Sequence, residues 1–479
     1  MSARRALRVL QINDTHAYME PHPELFREGG RTVYRTAGGF ARIATLLRRA
    51  RAEQEATFTF DNGDTLHGTY PAVETRGAAL VETLNLLGLD AWTGHWDFAY
   101  GPDRFREIDG LLEYPFLAAN AFDDRTGSPA FAPTTVVERG GVRVGVVGLA
   151  ATILDKGMPP RFSEGLRFTL GREELPGHVQ ALREEADVVV LLSHLGFPQD
   201  LQLARDVEGI DVVLSGHTHN RTYDPVRVGE TWVMQSGCHG SFVGQLDLEV
   251  VDGRVGLVEH RLIPVDDTIA TAPDVAAAVE RAVAPHREAL AEVVGYTETP
   301  LDRGGVFEAT MDNLLLQAVA DAAGAPVAFS NGWRYGAPIP AGPVTLGDLW
   351  AIIPPNPPVS VVDLTGAEVR EMLEANLEHT FSRNPYHQAG GYVKRCLGLT
   401  AYVKVENPGG ARIQELFVGG ERLDEERTYP VSFVTSQGVP TAYGTNRRHL
   451  DVRAVDALRD YFTRHRPARA DLRGTFVAI

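Results

Sequence analysis

Seven Asp and His side chains stand at the ends of five apolar runs, and together they have the chemistry of a metal site. Gly216-His217-Thr218-His219-Asn220 closes the run Val212-Val213-Leu214. Asp14-Thr15-His16, Gly63-Asp64, Gly94-His95 and Ser193-His194 each follow another β-branched or aliphatic stretch. A strand ending in a turn that carries Asp or His presents that side chain at the carboxyl edge of a sheet, where α/β ligand sites lie. Two-metal hydrolysis needs oxygen and imidazole ligands, a carboxylate bridging ions about 3.5–4 Å apart and an open position for water. Asp14 and His16, two residues apart, point the same way if the segment is extended, and His217 and His219 repeat that spacing. Any one of these residues alone reads as a capped turn or a satisfied histidine. The ordered set, each member after a strand, predicts a two-metal hydrolase.

The elements that must position these residues follow from periodicity. Leu7–Ile12, Phe58–Phe60, Val142–Leu149, Val188–Leu192 and Val212–Leu214 are predicted strands, and Gly39–Arg51, Ala78–Leu87 and Leu175–Glu185 have helical spacing. Pro273 near a helix start, followed by Ala and Glu to about Val294, predicts a connecting helix. The expected organisation is a catalytic domain over 1–268, a connecting helix over 269–299 and a substrate domain over 300–479, which opens with a helix at Ala309–Ala322. A chain of 479 residues exceeds one ordinary core, in line with two domains.

Composition narrows the partners. A formal charge of −17 argues against a nucleic acid polymer or an anionic membrane as partner, yet permits an anionic substrate, because a bound metal inverts the local field. Cys238 and Cys396 are the only cysteines, too few for a disulfide framework or a thiolate cluster. Met1-Ser2-Ala3-Arg4-Arg5 runs straight into the first strand without the apolar core of a signal peptide. The chain as it stands reads as cytoplasmic, and as periplasmic if an export segment had been trimmed ahead of Met1.

Asp14-Thr15-His16, Asn62-Gly63-Asp64, Ser193-His194 and Gly216-His217-Thr218-His219 resemble the calcineurin-type metallophosphoesterases, and the domain order is similar to the 5′-nucleotidase superfamily. The resemblance implies an α/β fold, a four-layer α/β/β/α sandwich followed by a smaller α+β C-terminal domain. It implies Asp14, His16, Asp64 and His219 on one metal, and Asp64, His95, His194 and His217 on the other, with Asp64 bridging. Two divalent ions are expected; Mn fits mixed imidazole and carboxylate ligands, with Zn or Fe close behind.

Two departures refine this picture. Family phosphatases read Gly-Asn-His-Glu-Phe-Asp where this chain reads Gly94-His95-Trp96-Asp97-Phe98-Ala99. His95 can still ligate, but the His that helps protonate the leaving group has become Trp96, and an indole cannot titrate. The nucleotidase Pro-Phe-Gly-Asn stretch, whose Phe stacks the base, corresponds to Pro354-Pro355-Asn356-Pro357. Thr93–Gly101, Gly332-Trp333-Arg334-Tyr335-Gly336 and Asn384–Gly391 instead resemble the thiosulfohydrolase (SoxB-like) family of bacterial sulfur oxidation. That family uses a dimanganese site to hydrolyse a terminal sulfonate from a carrier-bound cysteine persulfide chain.

The expected reaction is cleavage of a small anionic group, sulfonate or phosphate, by a metal-bridging hydroxide, with Asp64, His95 and Arg334 as the catalytic set. Arg334 would grip the oxyanion bidentately. Asn120, Tyr386 and His387 are further candidate substrate contacts, and Trp96 is a candidate wall that excludes water. Lys394-Arg395 is read as a solvated pair, and His67, His239 and both cysteines as structural. The substrate is expected to be small and anionic, a carrier-bound thiosulfonate among the options. The alternatives are a 5′-nucleotidase or cyclic-nucleotide phosphodiesterase, and a metal-retaining binding protein with little turnover.

Overall fold

The structure, a computed structural model, describes residues 4–479. It divides into two compact units. One takes in the chain up to Glu24 together with Thr36–Pro285, and the other takes in Leu25–Arg35 and His286–Ile479.

In the first unit, two sheets pack face to face. One has the strand order Arg254–Pro264, Phe242–Val251, Arg5–Ile12, Thr57–Asp61, Ala91–Trp92. The other runs Val226–Val228, Thr231–Met234, Val212–Ser215, Val188–Ser193, Val142–Leu149, Thr134–Arg139. Strands such as Val188–Ser193 are buried along their whole length, so they read as unbroken apolar runs rather than alternating ones. Leu7, Val9, Phe58 and Phe60 of the first sheet meet Val144, Val146, Val190 and Val212 of the second in one core. Helix Phe40–Glu53 turns Phe40, Ile43 and Leu47 inward over the strand Thr57–Asp61, while Leu175–Glu185 packs on Val142–Leu149 and Val188–Ser193. The result is the expected α/β/β/α sandwich.

Topology puts the ligand-bearing turns together. Arg5–Ile12, Thr57–Asp61 and Ala91–Trp92 are parallel neighbours, as are Val188–Ser193 and Val212–Ser215. Their carboxyl ends therefore share one edge in each sheet. Asn62 ties the two edges: its Nδ2 donates to Ser193 O at 2.9 Å and Leu214 O at 2.6 Å, and its Oδ1 accepts from Gln11 Nε2 at 2.6 Å.

The second unit contains a five-stranded sheet in the order Tyr392–Leu397, Val327–Gly332, Thr428–Phe433, Pro358–Thr365, Thr445–Arg453. A four-stranded sheet contains Glu421–Arg422, Ile413–Val418, Leu399–Val403 and Phe476–Ala478. Helix Gly366–Phe381 lies in the core they share, through Val369, Met372, Leu373 and Leu377. Its start is fixed by a capping box between Thr365 and Glu368.

The division differs from the sequence-based one in two respects. Residues 25–35 belong with the second unit rather than with 1–268; Tyr34 OH donates to Asp302 Oδ2 at 2.9 Å. The connecting helix expected over 269–299 is Pro273–Leu290, with the division falling inside it after Pro285; Val293–Thr297 is already a strand. Periodicity marks the helix but says nothing of which unit its turns pack on. Among the described residues no helix is long and apolar enough to cross a membrane.

Packing between Gly148 and the bridge residue Leu117 is tight enough to test. A Cβ on Gly148 would lie 2.2 Å from Leu117 O and 2.4 Å from Leu117 Cβ, whereas one on Gly256 would meet Glu249 Cγ at an ordinary 3.5 Å. Gly148→Ala is expected to lower stability by about 3 kcal/mol, read from the urea midpoint, with Gly256→Ala staying within about 0.5 kcal/mol of wild type.

Candidate metal centre

The turns that carry the ligands are left-handed. Asp14, His16, Asp64, His217 and His219 all have φ between 47° and 72°. For residues with a Cβ this backbone is costly, and it clusters at functional sites. Neither i, i+2 pair is therefore extended, which corrects the geometric argument for their pointing together. Asp14 and His16 do converge, but His217 and His219 turn to different ligand groups. Close packing fixes the turns: a Cβ on Gly68 would lie 2.2 Å from His16 O, and one on Gly63 2.3 Å from Thr93 O.

The side chains form two groups that share Asp64, all of them buried except the half-buried His219. Asp14, His16, Asp64 and His219 make one; Asp64, His95, His194 and His217 make the other. His194 Nε2 lies 3.3 Å from Asp64 Oδ2 and 3.7 Å from Asp14 Oδ1. His95 Nδ1 is 3.4 Å from Asp64 Oδ1, and His219 Nε2 is 3.3 Å from Asp14 Oδ1. The Nε2 atoms of His16 and His219 face each other at 3.2 Å.

Orphaned nitrogens test whether this donor set fits metal. His95 Nε2 and His194 Nε2 are buried and hydrogen-bonded to nothing, an arrangement that is costly unless a cation takes the lone pairs. Their surroundings orient them as ligands: the Nδ1 of His194 is bonded to Asn62 O, and that of His16 to His67 O at 3.3 Å. Against burial, the Asp64 and Asp14 charges raise His194 to about 10, the negative field in which a divalent cation would take the place of that proton. Five imidazoles and two carboxylates suit a pair of borderline divalent ions.

Asp97, which sequence reasoning passed over, organises the Asp64 turn. Its carboxylate accepts the backbone N–H groups of Asp64 and Thr65 at 2.9 Å, Leu66 at 2.8 Å and His95 at 3.1 Å. Burial and the Asp64 charge push Asp97 upward against those donors. Trp96 N–H donates to Asp64 Oδ1 at 2.7 Å, while the buried indole stacks on His67 with centroids 4.9 Å apart and meets Phe162 edge-on. Burial drives His67 down to about 3.

Of the two histidines read from sequence as structural, His67 meets the ligand His16 through its carbonyl and His239 lies against the ligand rings. His239 is 6.0 Å from both His16 and His219 between centroids, and its Nδ1 is 3.2 Å from Glu24 Oε2. Glu24 also accepts from Ser241 Oγ at 2.9 Å and Arg221 Nη2 at 2.8 Å; His22 Nε2 meets Ser241 Oγ at 3.2 Å. Through Ser241 and Arg221, His22, Glu24 and His239 form a hydrogen-bonded shell beside the ligands. Against burial, His239 and Arg221 hold Glu24 down at about 2.

Other predicted contacts fall elsewhere. Asn120 is not available to a substrate: its Nδ2 donates to Ala150 O and Thr169 O at 2.8 Å, and its Oδ1 accepts from Ala150 N. It braces a strand end, the bland reading of such a position. Arg334, Tyr386 and His387 lie in the second unit, with Tyr386 and exposed His387 on the turn Pro385–His387. Lys394 and Arg395 are buried rather than solvated. Pro354–Pro357 carries no aromatic side chain, and Asn356 Oδ1 caps Val455 N.

Residues 7–221 match the calcineurin-like phosphoesterase family, and residues 292–436 match the 5′-nucleotidase C-terminal domain. Among solved structures, Thermus thermophilus sulfate thiohydrolase SoxB is similar with a TM-score of 0.90 and 29% identity, over 99% of this chain and 96% of that one. A 5′-nucleotidase precursor, also of Thermus thermophilus, is similar with a TM-score of 0.86 and 25% identity, over 99% of each chain. The trifunctional nucleotide phosphoesterase protein YfkN of Bacillus subtilis is 26% identical over 472 residues, 88% of this chain. The chain spans 30% of that relative's length.

Two outcomes follow from the site. Asp97→Ala removes the acceptor of four backbone donors and is expected to weaken Mn²⁺ binding 10- to 100-fold in a chelator competition; an unchanged affinity would show that the turn holds itself. His22 and His67 are held at about 4 and about 3, against 6.5 when unfolded. The unfolded chain therefore binds protons that the folded one refuses. Their contribution is complete above pH 6.5 and is lost as pH falls toward 4 and 3, by about 2 kcal/mol each at pH 5. Urea midpoints in chelator at pH 7 and pH 5 should differ less in His67→Phe than in wild type.

Proposed function

We propose, for a chain that belongs to the calcineurin-like phosphoesterases and carries a 5′-nucleotidase C-terminal domain, a metal-dependent hydrolysis of the SoxB-like kind. It removes a small anionic group, sulfonate or phosphate, from a leaving group that needs no proton. Asp14, His16, Asp64, His95, His194, His217 and His219 hold two divalent ions, most readily Mn²⁺. Bound there, the ions supply Lewis acidity and activate water for attack.

The observation that carries the choice of branch is Trp96. It stands where phosphatases of this family place a proton-donating His, and the only polar hydrogen of its side chain is an indole N–H. Its backbone N–H fixes Asp64, and its ring, against Phe162, makes a dry wall. Without a general acid at this position, a poor alkoxide leaving group is disfavoured by about 10²–10⁴-fold, while a persulfide of low pKa leaves unassisted. Arg334 is assigned to the oxyanion, whose three equivalent oxygens suit a planar fork. The likeness to a sulfate thiohydrolase over nearly the whole chain supports this reading. A carrier-bound cysteine thiosulfonate is the substrate that unites these features, and the charge of −17 disfavours a nucleic acid polymer.

A nucleotidase activity has one observation in its favour, the similar 5′-nucleotidase precursor. It lacks an aromatic platform at Pro354–Pro357. Steady-state hydrolysis with Mn²⁺ of a cysteine-S-thiosulfonate peptide, bis-nitrophenyl phosphate, AMP and cyclic nucleotides separates the two. The thiosulfonate is expected to be turned over at least 10-fold faster than AMP, with Asp64→Asn lowering kcat by 10³-fold or more. A preference for AMP would overturn the branch, and retained binding without turnover would make the chain a binding protein.

A further inference from the structure

Arg334 sits in a loop that is braced from beneath. Gly332 and Gly336 bracket Trp333-Arg334-Tyr335, and both are held by close approach. A Cβ on Gly332 would lie 2.6 Å from Val393 O, and one on Gly336 2.7 Å from Arg303 Nη1.

The brace is a buried ionic triad. Asp312 Oδ1 accepts from Arg303 Nε at 2.8 Å, and Asp312 Oδ2 accepts from Arg395 Nε at 2.9 Å. All three residues are at most 4% exposed. The remaining guanidinium nitrogens donate to backbone carbonyls: Arg303 to Tyr335 O at 2.6 Å and Ile352 O at 2.7 Å, Arg395 to Val306 O at 2.9 Å and Gly305 O at 2.6 Å. A buried triad of this kind is a poor stabiliser, since apolar residues of similar volume serve as well or better. What it does supply here is geometry: Arg303 fixes the carbonyl next to Arg334 in the chain.

The Arg334 side chain is held too. Its Cζ stands 4.6 Å from the centre of the Tyr392 ring, and its Nη2 donates to Gly391 O at 3.2 Å. The same ring has Arg395 Cζ 5.3 Å from its centre. Thus Asp312 sets Arg395, Arg395 sits against Tyr392, and Tyr392 carries Arg334, while the other arm of Asp312 reaches the Tyr335 carbonyl, one residue beyond Arg334, through Arg303.

We infer that Arg303, Asp312, Arg395 and Tyr392 are positioning residues that orient the Arg334 fork for a tetrahedral oxyanion before it binds. The inference rests on the reading that Arg334 contacts substrate. A guanidinium already fixed on an aromatic face loses little freedom on forming two parallel hydrogen bonds, and a mobile one loses more. The device therefore acts on affinity and not on the chemical step.

The test compares wild type with Arg334→Ala, Tyr392→Leu, Tyr392→Phe and Arg395→Lys in the full chain loaded with Mn²⁺. It follows KM and kcat with the thiosulfonate peptide and with AMP, and the Kd of inorganic sulfate by tryptophan fluorescence. Tyr392→Leu and Arg395→Lys are expected to raise KM and the sulfate Kd about 10-fold with kcat within 2-fold, while Tyr392→Phe, which keeps the ring face, stays within 2-fold of wild type. If Arg334→Ala changes neither quantity, the substrate role of Arg334 fails, and the positioning role with it. If Arg334→Ala weakens both but Tyr392→Leu and Arg395→Lys do not, the positioning inference alone is overturned. Equal loss in Tyr392→Phe and Tyr392→Leu, or a fall in kcat that tracks melting temperature, overturns it as well. Arg395→Lys keeps the charge, so a misfolded Tyr392→Leu still leaves a decisive variant.

Discussion

Both ligand groups need the Asp64 carboxylate, and that shared use is the constraint around which the first unit is arranged. One oxygen faces His194 and His16, the other His95 and the backbone N–H of Trp96. A carboxylate can be shared in this way only if the turn carrying it is fixed from both sides. Asp97 does this through four backbone N–H groups, and Gly63 allows the approach to Thr93. The two sheets must also stay in register at their carboxyl edges, since His95 comes from one and His194 from the other. Asn62 meets that requirement by bonding to Ser193 and Leu214 across the sandwich.

The strand ends were legible because burial on both faces leaves an unmistakable apolar run, and Asp or His immediately after such a run stands out. Conformation at those ends was not legible. Asp14, His16 and His217 adopt backbone that sequence associates with glycine, and only the packed turns around them enforce it. Asp97 was passed over because its role lies in backbone donors, which no residue type advertises. Lys394 and Arg395 read as solvated because the groups that bury them, Asp312 and the carbonyls of Gln437 and Gly438, lie far away in sequence. Asn120 shows the reverse error: a polar residue at a strand end invited a substrate role, and the backbone already occupies it.

Trp96 links fold to chemistry. Its main chain serves the shared carboxylate, and its side chain replaces a titratable group with a wall. An indole has no titratable proton to give, so the position serves packing and the Asp64 turn rather than proton transfer. The same division of labour runs through the second unit, where buried charge is directed at holding a loop.

Two ions sharing one carboxylate is the arrangement on which the first unit's chemistry would depend most. Loading the full chain with Mn²⁺, removing loose metal and counting ions per chain tests this directly, with Asp64→Asn in parallel. Two ions per wild-type chain, and loss of both in the variant, is the result the geometry predicts. A single ion that survives Asp64→Asn would contradict it.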